Sequence, residues 1–67
     1  MKVWERQRID KRVRSFVQSM PKGYENITPK DQIISEILTA NGWFGSISKP
    51  MEIIREEVEK QFDMYVS

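Results

Sequence analysis

The chain contains no histidine and no cysteine. The first absence removes the side chain that most often serves as general acid or base near neutral pH. The second removes thiolate nucleophiles, disulfide frameworks and thiolate metal sites. Together they exclude the Ser-His and Cys-His pairs of nucleophilic catalysis and the commonest zinc ligand sets. Glycine and proline are sparse, three of each, and nothing matches a phosphate-cradling Gly-rich loop or a P-loop. No apolar run approaches the length that crosses a bilayer. The first residues lack the apolar core of a secretory signal. These absences predict a non-enzymatic, cytoplasmic protein that needs no cofactor, no metal and no membrane. The missing thiols fit a reducing compartment.

What remains is small. With 67 residues, the chain is long enough for one domain, residues 1–67, that buries about 60% of its unfolded surface. A cofactor-sized pocket would consume most of such a core, so binding is expected rather than catalysis. The hydrophobic fraction of 39% and charged fraction of 31% are those of a globular chain rather than a disordered one. Net charge is only +1, but its distribution is uneven. Residues 1–22 carry seven basic groups against Glu5 and Asp10, a local excess of +5, and the remaining residues carry four against eight acids, or −4. A basic front and an acidic back suggest an interacting face.

Hydrophobic periodicity places three helices. Near 100° per residue, Ile9, Val13, Phe16, Val17 and Met20 fall on one face of a helix from Val3 to Met20, which Pro21 and Gly23 terminate. A loop from Pro21 to Ile27 then leads to "TPKD", with Thr28 as N-cap, Pro29 in the first helical position and Asp31 in the first turn. Ile33, Ile34, Ile37 and Leu38 form the second stripe, and Asn41-Gly42 ends it. After "WFGSIS", Ser48 caps a third helix with Lys49-Pro50 in its opening turn, and Trp43 and Phe44 are expected to close one end of the core. Met51, Ile54, Val58, Phe62 and Tyr65 share its core face. The predicted fold is all-α, a compact three-helix domain. A variant reads the β-branched "SISKPMEII" as a short β-hairpin, around residues 44–54, in a small winged-helix-like domain. The tail "EIIREEVEKQFDMYV" resembles the end of small excisionase-like, winged-helix DNA-binding proteins, in which a hairpin runs into a closing amphipathic helix. That resemblance spans about a quarter of the chain, and no upstream recognition helix matches it.

Three surfaces are candidates. On the third helix, Glu52, Glu56, Glu59 and Asp63 line the side away from the core. They suit a basic protein partner, or form a plain solvated face made mildly unfavourable by like charges four residues apart. Ile53 and Met64 also lie off the core stripe. They are either ordinary exposed apolar residues or the seam of a homodimer. The N-terminal helix carries the most informative surface: Trp4, Arg8, Lys11 and Ser15 project opposite the core, flanked by Arg12 and Arg14, with Lys22 just beyond. Arg and Lys neutralise phosphates and an indole stacks on bases. The same surface suits an acidic protein, with tryptophan as anchor. Two structural alternatives exist: Trp4 folds back on the core from a non-helical start, or an arginine stacks on it.

The second and third helices have the order of a helix-turn-helix, but a recognition helix presents Arg, Lys, Asn or Gln to bases, and here the third presents acids. Any DNA contact is therefore expected from the first helix and the loop lysines Lys22 and Lys30, joined by Lys49 if "SISKP" forms a wing. The leading expectation is a small regulatory protein, of the kind phages and plasmids use, that binds DNA through the N-terminal helix, with a homodimer as a further possibility. The rival is an adaptor or inhibitor that docks a host or partner protein through the first helix or the acidic face of the third.

Overall fold

The computed structural model describes residues 2–40 and 49–66. Among them are four helices and no strand: α1 (Val3–Ser19), α2 (Tyr24–Ile27), α3 (Lys30–Ala40) and α4 (Met51–Val66). The all-α expectation holds. The hairpin variant fails where it can be examined, because residues 51–54 form the first turn of α4; residues 44–48 lie outside the described residues. So do Asn41, Gly42, Trp43, Phe44 and Ser48, on which the expected helix end, core cap and N-cap fell.

Helix α1 starts without the usual Ser, Thr, Asp or Asn at its N-cap. Lys2 occupies that position, and its ammonium has no acceptor to offer. Glu5 compensates: its Oε1 accepts a hydrogen bond from the Lys2 backbone N–H at 2.8 Å, and its charge sits in the first turn, where the helix dipole favours an anion. The helix ends at Met20, whose backbone is extended and whose N–H reaches the Val17 carbonyl.

The expected loop from Pro21 to Ile27 contains the short helix α2. Gly23 enters it with φ +85°, a left-handed conformation that other L-residues reach only with strain. Both later helices open on proline one or two residues after the expected starts. Pro29 accepts from the Gln32 and Ile33 amides, and Pro50 from those of Ile53 and Ile54. Thr28 instead closes α2, donating its N–H to the Tyr24 carbonyl.

Three helices share one core: Ile9 and Val13 of α1, Ile33, Ile34 and Ile37 of α3, and Ile54, Val58 and Phe62 of α4. Phe16, Val17, Met20, Tyr24, Leu38 and Tyr65 pack around it, half-buried. All eight buried apolar residues belong to the expected stripes. Met51 does not join them; it is 55% exposed, because it opens α4 at the margin of the core, beside Leu38 and Thr39 of α3. The most extensive contact is between α1 and α4. Arg6 meets Glu57 and Asp10 meets Tyr65, so these two helices advance in the same sense. Lys30 meets Asp63 while Ser35 meets Arg55, so α3 runs against α4.

Candidate nucleic-acid interface

The geometry of α1 follows from its pattern. Its core side is fixed by Ile9 and Val13, which are fully buried. Residues 4, 8, 11 and 15 therefore stack one above the next on the opposite side. Trp4, Arg8, Lys11, Arg12, Arg14 and Ser15 are all exposed, as is Lys22 in the turn beyond.

Trp4 is helical and 45% exposed, which rules out an indole folded back on the core from a non-helical start. The other structural alternative is realised. The Arg8 guanidinium lies 5.5 Å from the ring centroid, within the range of a cation–π contact. This contact orders both side chains and keeps the guanidinium on the outer face, with its charge intact.

The two acids of the N-terminal segment are both turned inward. Glu5 is only 3% exposed and is occupied by the N-cap. Asp10 is half-buried and accepts a hydrogen bond from the Tyr65 hydroxyl of α4. That bond to a carboxylate raises the phenol's pKa above its ordinary value; burial and the Asp10 charge push the same way, and the nearby Arg14 opposes them. Arg6 is also engaged, its Nε lying 3.7 Å from Glu57 Oε1. Glu57 is buried, and its other oxygen accepts from Gln61 Nε2 at 2.8 Å. No exposed residue of α1 is acidic.

The expected acidic stripe of α4 is divided. Lys30 Nζ lies 2.8 Å from one oxygen of Asp63 and 3.4 Å from Glu59. Its pKa is raised, chiefly by the hydrogen bond to Asp63. This lysine relieves the Glu59–Asp63 repulsion that the sequence implies, and it is thereby withdrawn from the loop cations expected to touch a phosphate. Arg55 faces α3 and reaches Ser35 Oγ at 3.4 Å and Asp31 at 3.9 Å. Glu52 and Glu56 are exposed and form no ion pair among the described residues. Ile53 and Met64 are 42% and 64% exposed, off the core as expected.

Among the described residues, no group of three acids is placed to hold a metal ion. An open hollow of about 330 Å³ is lined by Phe16, Ser19, Met20, Pro21, Tyr24 and Glu36. Its one ionisable pair is spent internally, the Tyr24 hydroxyl lying 3.0 and 3.1 Å from the two carboxylate oxygens of Glu36. No described helix is long and apolar enough to cross a membrane.

Sequence reasoning identified the exposed cations of α1 but missed Glu5, which caps its own helix, and Arg6 and Glu57, whose pairing depends on the contact between α1 and α4. Glu5 alone had a local signal, as the acid three residues after a helix start. No family model, curated protein or solved structure matches this chain.

Proposed function

We propose that this protein is a small non-enzymatic regulator that binds nucleic acid, DNA in the first instance, through the outer face of α1. One observation carries the reading: the exposed surface of α1 holds Arg8, Lys11, Arg12 and Arg14 and no carboxylate, because Glu5 and Asp10 are drawn to the inner side. A helix presenting a run of cations with an exposed indole at one end neutralises phosphates and offers a stacking face. Net charge alone understates this surface, since much of the acidic excess resides on α4, where Lys30 and Arg55 partly offset it.

Single substitutions test the assignment. Arg8→Ala, Lys11→Ala and Arg12→Ala should each weaken duplex binding and lower its logarithmic salt slope by about one unit. Lys30→Ala should leave both unchanged, because that lysine is already engaged with Asp63 and Glu59. Equal affinity for the parent and all three α1 variants would remove this face from consideration.

A second reading is favoured by the net charge of +1, which is low for a dedicated DNA-binding domain. In it the same face docks an acidic protein surface, with Trp4 as its anchor. Such binding would depend strongly on Trp4, whereas phosphate binding would depend mainly on the cations.

A further inference from the structure

The outer face of α4 is complementary to itself. At 100° per residue, Ile53, Lys60 and Met64 fall within about 40° of one another, and all three are exposed. Glu56 borders this strip and is also exposed. Among the described residues neither Lys60 nor Glu56 forms an ion pair, although Lys30, Arg55 and Arg6 do. One turn back from the Arg6–Glu57 contact come Val3 and Ile53, both exposed, so the strip continues onto the start of α1.

From this arrangement we infer that the face of α4 carrying Ile53, Glu56, Lys60 and Met64 pairs with the same face of a second copy of the chain, the two helices running antiparallel about a two-fold axis. The axis passes midway between Ile53 and Met64, near residues 58 and 59. Ile53 then lies opposite Met64 of the partner subunit, and Lys60 opposite Glu56 of the partner subunit to within about one residue of helical rise, about 1.5 Å, which the length of both side chains spans. Each contact occurs twice, as an isologous interface requires. The result is two apolar pairs at the ends and two opposite-charge pairs at the centre. Parallel pairing gives the reverse, because Lys60 would face the partner subunit's Lys60. The charge pattern therefore selects both the occupant and its direction. The strip is narrow, so the dimer belongs to the small, weak class of interfaces. This inference stands apart from the nucleic-acid reading, since it involves neither nucleic acid nor the cations of α1.

Sedimentation of the full chain, without nucleic acid, from about 10 μM to about 1 mM tests it in the weak-affinity range. The expected result is a concentration-dependent shift from monomer to dimer. Lys60→Glu sets two glutamates against each other at both charge contacts and should weaken self-association by roughly tenfold or more. Adding Glu56→Lys to that variant reverses both members of each pair and should restore the dimer. Ile53→Ser should weaken it with no recovery from charge exchange. All these positions are exposed, and circular dichroism would verify that the helices persist. A monomer throughout the range, an open-ended polymer, or a double variant as weak as Lys60→Glu alone would overturn the inference.

Discussion

Two buried carboxylates decide how the ends of this small bundle are held. Glu5 satisfies a helix N-terminus that has no ordinary cap, and Glu57 sits between Arg6 and Gln61. Glu5 had a local signal in its spacing from the helix start, but the role of Glu57 was not legible from local pattern. Arg6 and Glu57 are distant in the chain, and only the packing of α1 on α4 brings them together. The two partners are not equivalent. Arg6 is exposed and can be rehydrated if Glu57 is lost, whereas Glu57 is buried and keeps only Gln61 if Arg6 is lost. Arg6→Ala should therefore cost about 1–2 kcal/mol, the penalty for leaving a buried charge short of partners. Glu57→Gln should cost less, since it removes the buried charge while retaining the shape and hydrogen-bonding capacity. Urea unfolding of the two variants checks the order. A larger loss in Glu57→Gln would mean that the ion pair itself, rather than the burial of the carboxylate, dominates at this site.

At the scale of elements, the helices were legible because each buries one stripe of apolar residues at helical period, and those stripes supply the whole described core. Their starts were less legible. Thr28 is a good cap by type, but the backbone gives that position to Pro29, and Thr28 closes α2 instead. Helix α2 was missed because its four residues follow Pro21 and Gly23, whose chemistry reads as a turn. The pairing of elements left no local trace: the hydrogen bond from Tyr65 to Asp10 joins α4 to α1 across most of the chain. It makes a definite pH prediction. The Tyr65 phenol and the Lys30 ammonium both have folded-state pKa values above their ordinary ones, mainly through hydrogen bonds to Asp10 and Asp63. Protons are therefore held more tightly in the folded chain than in the unfolded chain. The associated stability is complete below the unfolded values near pH 10 and is lost as pH rises through the raised ones. Denaturation midpoints should be flat from neutral pH to about pH 9.5 and should fall above it. Tyr65→Phe should lower the neutral-pH midpoint and make the alkaline decline shallower. An unchanged alkaline profile in that variant would show that the Tyr65–Asp10 contact does not couple to folding.

For the whole molecule, the uneven charge was readable from composition, but the availability of each charge was not. The sequence placed Glu5 and Asp10 among the cations of α1 as if they diluted them; folding turns both inward. It placed Glu59 and Asp63 on an open acidic stripe; Lys30 of α3 pairs with both. It offered Lys30 as a phosphate contact; the same ion pairs withdraw it. Trp4 was legible as lying off the core, and Arg8 beside it is the stacking partner that the spacing allowed. The net effect is to sharpen the contrast between the outer face of α1 and the rest of the surface, and the proposed function rests on that contrast.

The most direct measurement is a titration of the purified protein with mixed-sequence duplex DNA at low salt and again at higher salt, followed by DNA anisotropy and tryptophan fluorescence, with Trp4→Phe separating the Trp4 signal from that of Trp43. If Arg8, Lys11, Arg12 and Arg14 contact roughly four phosphates, the logarithm of the affinity should fall with the logarithm of salt at a slope of about −3.6. The fluorescence change should be lost in Trp4→Phe. An absence of binding at low salt, or binding insensitive to salt, would contradict a phosphate-contacting role for α1 and leave an acidic protein surface as the ligand to pursue.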